Sequence, residues 1–167
     1  MKITKVLFMC IPALVGTLSM QPIFAGAIDC STLNYANAPS SSDTCLSLGS
    51  ADPYNALFRQ GTSNIGVLFL HGRGQNPNGD VVRQLRNSLN ADGYTTLAIE
   101  NPVPANGNTS FTNYVVNEDI IDNQVFSRVE VAVSELKNRN VDRIVLAVLA
   151  LAEGSLLHQP QLGNRIC

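Results

Sequence analysis

The strongest indication of fold in this chain is a strand that runs directly into a glycine turn, Val67-Leu68-Phe69-Leu70-His71-Gly72-Arg73-Gly74. The continuous apolar run from Ile65 to Leu70 is typical of a strand that is buried on both faces of a sheet. Glycines let a ligand approach the main chain, and backbone N–H groups at such a turn can bind a negative oxygen. The stretch therefore predicts a buried strand that ends in an anion-binding turn.

Elements of alternating type follow from this strand to residue 149. The predicted strands are Ile65–Leu70, Tyr94–Ile99 and Val141–Leu149, and the predicted helices are Asp80–Ala91 and Asn117–Asn138. The alternation predicts an α/β fold, with a parallel sheet of three or slightly more strands and helices on both faces. A chain reversal would place the Ile65–Leu70 strand between the other two, and ligands bind at such switch points.

The sequence before the first predicted strand is polar and rich in Ser, Asn and Pro. Residues 28–55 are expected to be irregular, with a short edge strand over Ala56–Arg59. Four regions result: a leader (1–27), an N-terminal segment (28–64), a partial domain (65–149) and an atypical tail (150–167).

The first 27 residues have the pattern of a secretory signal peptide. Lys2 and Lys5 precede an apolar core, and Ala25-Gly26-Ala27 matches a signal-peptidase site. The core is shorter than the roughly 20 residues that a spanning helix needs, which argues against an uncleaved anchor. We therefore expect an exported protein, periplasmic or secreted, with no membrane span after cleavage.

The cysteines fit export. Cys10 lies in the leader, and Cys30 and Cys45 are close in sequence, so an oxidising compartment favours a disulfide between them. The alternative is two free thiols. Cys167 is then unpaired, and no spacing suggests zinc.

Composition excludes some partners and cofactors. The net charge is −2 and there is no basic patch, which argues against nucleic acid. Gly72-x-Gly74 with Glu100 after the next strand faintly resembles a dinucleotide site, but the third glycine is misplaced. With two histidines in the chain, no metal cluster is expected either, and no cofactor is predicted.

The stretch Val67–Gly74 resembles the third strand and His-Gly-x-Gly oxyanion loop of the α/β-hydrolase family. The span Gly66–Leu149 also resembles a poorly characterised group of exported bacterial α/β-hydrolase-like proteins, in which a Gln and a Pro follow the turn (here Gln75 and Pro77). The resemblance covers about half the chain. It implies that the backbone N–H of Arg73 stabilises an oxyanion, that Gly72 and Gly74 shape the turn, and that His71 is structural. The alternative is a plain strand-to-helix turn.

The nucleophile of that family is missing where the resemblance predicts it. A Gly-x-Ser-x-Gly elbow is expected after the last strand, but the chain has Ala147-Val148-Leu149-Ala150-Leu151-Ala152-Glu153. Ser155 and His158 occur later, outside an elbow context, and are better interpreted as tail residues. No catalytic residue is therefore assigned.

The genetic code suggests a reason for the missing elbow. If the frame shifts by one base near residue 147, each new triplet joins the third base of one codon to the first two bases of the next. The codons for Val148, Ala150 and Ala152 begin with GT, GC and GC, so the new triplets can be GGT, AGC and GGC. Those triplets encode Gly-x-Ser-x-Gly. The hypothesis is that residues 148–167 are out of frame.

Two functions follow as expectations. The first is a truncated exported α/β-hydrolase-like protein, inactive as written. Its intact relatives would hydrolyse a small-molecule or lipid-like ester, thioester or amide by a Ser-His-acid mechanism. In such a fragment the last strand becomes an apolar edge prone to association. The second is a non-catalytic exported binding protein with an apolar cleft at the strand ends.

Overall fold

A computed structural model describes residues 26–104, 107 and 117–149. Six strands form one sheet: β1 (Gly26–Ile28), β2 (Thr44–Leu48), β3 (Tyr54–Arg59), β4 (Ile65–Leu70), β5 (Thr95–Ile99) and β6 (Arg143–Val148). Two α-helices, α1 (Asp80–Ala91) and α2 (Glu118–Asn138), and a short 3-10 helix at Cys30–Thr32 complete the described elements. Residues 1–25 of the predicted leader (1–27) and the whole of the predicted tail (150–167) lie outside the described residues.

The sheet is mixed, and the prediction of a three-stranded parallel α/β sheet is wrong. The strand order is β1-β2-β3-β5-β4-β6. The pairs β1–β2, β2–β3 and β3–β5 are antiparallel, whereas β4 pairs in parallel with β5 on one side and β6 on the other. Strand β4 does lie between β5 and β6, as the sequence predicts.

The missing strands come from the N-terminal segment. The prediction that residues 28–55 are irregular is wrong, because β2 forms there and pairs with β3 from Thr44↔Phe58 to Leu48↔Tyr54. The turn between them begins at Gly49, whose φ is 78°. Strand β3 is likewise not an edge, because β2 and β5 flank it. Five-residue strands in a polar stretch carry too little periodicity to be recognised.

The core is divided by the sheet into two clusters, because successive side chains of a strand point to opposite faces. Leu68 and Leu70 of β4 belong to the larger cluster, against which α2 packs through Ala132 and Leu136. Val67 and Phe69 belong to the smaller cluster, together with Val82 of α1. The carboxyl ends of β4, β5 and β6 therefore lie at one edge of the core, between the two helices.

Helix α1 buries only part of its apolar face. Val82 is buried, and Leu89 is partly buried against the smaller cluster, but Val81 and Leu85 are exposed. Arg86 is instead the fully buried residue of the helix. Part of the apolar stripe of α1 thus faces solvent.

The N-terminal segment is fixed to the sheet by a cysteine pair. The sulfur atoms of Cys30 and Cys45 lie 2.02 Å apart, which is disulfide-bond distance, and this is the pairing that the sequence predicts. Within the part of the chain that is described, no helix is both long and apolar enough to cross a bilayer. Both findings are compatible with an exported protein.

Candidate functional site

The glycine turn begins where β4 ends and lies before the first residue of α1. Gly74 has a φ of 70°, in the left-handed region that favours glycine. The Gln75 N–H donates to the Gly72 carbonyl at 3.1 Å and closes the turn. Asp80 is the first helical residue of α1, and Gly79 is the N-cap.

His71 is a buried residue of this turn, with 7% of its surface exposed. Its Nε2 accepts the backbone N–H of Asn101 at 3.1 Å, which leaves the ring proton on Nδ1, 2.9 Å from the Gly72 carbonyl. Burial lowers the pKa of the imidazole and favours its neutral form. Since both ring nitrogens are bonded to the main chain, neither is available as a base. These are the contacts expected of a structural residue.

The ends of β4 and β5 are joined by a second bond between the same residues. The Asn101 side-chain amide donates to the His71 carbonyl. Asn101 was not singled out from the sequence, where it is the first residue of a Pro- and Gly-containing loop. Its position two residues after the end of a buried strand is the signal that could have identified it.

Glu100, which precedes Asn101, makes hydrogen bonds to three other parts of the fold. Its carboxylate accepts from the Tyr35 hydroxyl at 2.9 Å and from the Asn55 N–H at 3.1 Å. Burial, reinforced by this carboxylate, raises the pKa of Tyr35. The Arg128 guanidinium donates to the Glu100 carbonyl at 2.9 Å. Glu100 is therefore engaged within the fold, which argues against the ribose-binding role of a dinucleotide site.

The disulfide-closed segment crosses to the far side of the turn. Asn78 is 1% exposed, and its amide donates to the Asn37 carbonyl at 2.7 Å. The Asn37 amide in turn donates to Asp80 at 3.2 Å, at the start of α1. The N-terminal segment thus holds the second half of the turn in place.

A buried ion cluster fixes the same segment to β3 and α1. The Asp43 carboxylate lies 2.8 Å from Arg59 and also pairs with Arg86, and the Asp43 and Arg86 side chains are each 1% exposed. Burial lowers the pKa of Arg86, and the Asp43 charge opposes that shift. The cluster carries two guanidinium groups for one carboxylate.

Two cavities adjoin the turn. The smaller, of about 90 Å³, is lined by residues of the turn, of α1 and of the chain after β6: His71, Gly72, Gln75, Gly79, Val81, Val82 and Leu149. The larger, of about 410 Å³, lies at the ends of β4 and β5, and its polar lining includes Asp52, His71, Glu100, Asn101, Gln124 and Arg128. The apolar side chains beside the turn therefore belong to the smaller cavity.

The end of β6 lies directly beside the turn. The Leu149 N–H donates to the Leu70 carbonyl at 2.9 Å, one residue before His71. The expected elbow position starts here, but residues 150–153, Ser155 and His158 lie outside the described residues. The structure thus brings together His71, Gly72 and the last residue of the expected strand.

The acidic residues of α2 are only partly its solvated face. Asp122 and Glu130 are exposed to solvent, but Glu135 is buried and pairs with Arg139 at 2.6 Å. The side chain of Asp119 lies outside the described residues. No cluster of His, Cys, Asp and Glu suited to a metal ion occurs in the described ranges.

Comparison with known proteins gives no relative on which to base an assignment. No protein-family model matches the chain, and searches of curated proteins and of solved structures gave no significant match.

Proposed function

We propose that this chain is an exported α/β-hydrolase-like protein that carries the oxyanion loop of such an enzyme and lacks its nucleophile. The observation that supports this most is the proximity of the His71–Gly74 turn to the end of β6. In α/β-hydrolases one oxyanion donor comes from the loop between the third strand and its helix, and the other follows the nucleophile. Counted from the β2–β3 hairpin, β4 is the third strand and α1 the helix after it.

The turn would act through its main chain. The Arg73 N–H is the proposed donor to the oxyanion of a tetrahedral intermediate, with Gly72 and Gly74 setting the loop conformation. His71 holds the loop to β5 and does not act as the base. The small cavity beside the turn contains Val81, Val82 and Leu149, which suits a short apolar acyl group better than a charged one. The substrate class proposed for an intact relative is a small or lipid-like ester, thioester or amide.

The chain as it stands is proposed to be inactive. Where the serine of the elbow is expected the sequence has alanine and leucine, and both ring nitrogens of His71 are committed to the fold. A frame change near residue 147 would account for an in-frame apolar strand that is not followed by an elbow.

DNA sequencing from codon 140 onward is the first test. The proposal expects a second frame that encodes Gly-x-Ser-x-Gly after β6 and continues to an acid and a histidine. An alternative frame soon closed by stop codons would contradict it. So would ester hydrolysis by the present chain that is lost in Ser155→Ala.

The frame-restored protein gives the catalytic test. Hydrolysis of a short-chain p-nitrophenyl ester is expected, and Arg73→Pro, which removes the backbone donor, is expected to lower kcat by roughly 10²–10³-fold. Lys137→Ala, an exposed change on α2, is the matched control. Circular dichroism of both variants separates loss of the donor from loss of fold.

A non-catalytic exported binding protein is the second candidate, and the larger cavity favours it. Its polar lining differs from the apolar cleft expected from the sequence, so a ligand there would be polar. Turnover by the frame-restored protein would exclude this candidate as the main function.

A further inference from the structure

Strand β6 is an edge strand with apolar side chains on both faces. It terminates the sheet order in the described residues, and Val145, Leu146 and Val148 are 54%, 49% and 64% exposed. Natural sheets protect their edges with charges, prolines, bulges or a cover. Within Ile144–Val148 there is no charge and no proline.

The exposed apolar side chains of β6 lie on both faces of the sheet, and this limits what could bury them. Ile144 belongs to the α2 side of the core and Ala147 to the α1 side, so Val145 and Leu146 project to opposite sides of the sheet. On the α1 side the exposed Val81 and Leu85 add to the apolar surface. A ligand in a groove contacts one face, whereas a further strand paired to this edge packs its side chains beside those of β6 on both faces.

We propose that the occupant is a second copy of this chain, whose β6 pairs antiparallel with the first about a two-fold axis at Leu146. Strand β6 itself is apolar on both faces, and a two-fold contact uses the same surface twice. Antiparallel pairing also places the two Arg143 side chains at opposite ends of the contact, about 20 Å apart at the usual rise per residue. Parallel pairing would bring them together.

The hydrogen bonds of β6 select the register. The N–H groups of Arg143 and Leu149 donate inward, to the carbonyls of Asn64 and Leu70. Because the N–H and C=O of one residue in a strand point to the same side, and neighbours alternate, Ile144, Leu146 and Val148 face outward. Centred on Leu146, these three residues pair with Val148, Leu146 and Ile144 of the other copy, giving about six hydrogen bonds. Centring on Val145 would instead set Asp142 opposite Val148.

The contact closes on itself. It is a two-fold contact that uses the same edge of both copies, so no free β6 edge is left for a third copy. The opposite edge of the described sheet, which is β1, or β2 once the chain is cut after Ala27, takes no part in it. The assembly therefore stops at a dimer with one continuous sheet, and it does not depend on the hydrolase proposal.

Light scattering of the purified exported chain over a range of concentrations tests the stoichiometry, and a dimer is the expected result. Leu146→Lys sets two ammonium groups opposite each other and is expected to raise the dissociation constant roughly 100-fold or more. Phe126→Lys, at an exposed apolar position on α2, is the matched control and is expected to remain dimeric. A monomer at all concentrations, growth beyond two copies, or an equal effect of both variants would overturn the proposal.

A cross-link tests the register independently of destabilising variants. In a Cys167→Ser background, Val145→Cys chains are mixed with Ala147→Cys chains and oxidised. Residues 145 and 147 of opposite copies face each other as a non-hydrogen-bonded pair, with Cα atoms about 4.5 Å apart, which suits a disulfide. A covalent dimer in the mixture, and little with either variant alone, is expected. Cross-linking of Val145→Cys alone, or of neither sample, would contradict the register.

Discussion

Two hydrogen bonds join His71 and Asn101, and each links the side chain of one residue to the main chain of the other. Nε2 of His71 accepts the Asn101 N–H at 3.1 Å, and the Asn101 amide donates to the His71 carbonyl. The pair joins the residue after β4 to the loop after β5, and so fixes the glycine turn to the neighbouring strand. The turn is positioned by its neighbours as much as by its own glycines.

Removal of the imidazole is expected to destabilise the fold. His71→Ala leaves the Asn101 N–H and the Gly72 carbonyl without this partner, and an unsatisfied buried group costs about 1–3 kcal/mol. Urea denaturation measures the free energy of unfolding, with exposed Lys137→Ala as the control. Equal stability of the two variants would show that the hydrogen bonds of the His71 ring do not stabilise the fold.

The contribution of His71 is expected to depend on pH. Its pKa is lowered in the folded protein by burial, so the unfolded chain binds the proton more readily. The stabilisation by neutral His71 is therefore fully present above the pKa of histidine in the unfolded chain, about 6.5. It is lost as the pH falls below that value. The difference in unfolding free energy between wild type and His71→Gln should therefore shrink from pH 7.5 to pH 5. A difference that is constant over this interval would contradict the assignment.

Reduction of the cysteine pair is expected to destabilise the protein through the unfolded chain. Cys30 and Cys45 are 15 residues apart, and closing a loop of that length stabilises by about 3 kcal/mol. Cys30→Ala/Cys45→Ala should lose a similar amount in chemical denaturation, whereas Cys167→Ser should lose little. Insensitivity of the wild type to a reducing agent would indicate that the bond does not form in solution.

Loss of the carboxylate from the buried ion cluster is expected to destabilise the protein more than loss of one guanidinium group. Asp43→Ala leaves the buried guanidinium of Arg86 without its carboxylate, and breaking a buried pair in this way costs about 3–5 kcal/mol. Arg86→Met is expected to cost less, because Arg59 still pairs with Asp43 at 2.8 Å. Thermal and urea unfolding of both variants give the comparison. The opposite order would show that Arg86 contributes mainly through its packing.

Strands and helices with a strong apolar pattern were predictable from the sequence, whereas the strands and side chains that pack against them were not. The bounds of β4 and α1 are those expected from the apolar run and the helical spacing. The fold class was wrong because β2 is a five-residue strand in a polar segment, and strand pairing between distant segments leaves no local signal. For the site, the glycine turn was found from its residue types. Asn101, Asn78 and Asp43 were missed because their importance arises from contacts made across long sequence separations.

The position of β1 has a consequence for the predicted cleavage of the leader. Gly26 and Ala27 pair with Ser47 and Leu46, so the predicted peptidase site lies inside a strand, where a protease could not extend the backbone through its active site. If the chain is exported and cut after Ala27, the cut must precede closure of this part of the sheet. After a cut following Ala27, only Ile28 of β1 remains, and the covalent bond from Cys30 to Cys45 takes over as the anchor of the new amino terminus.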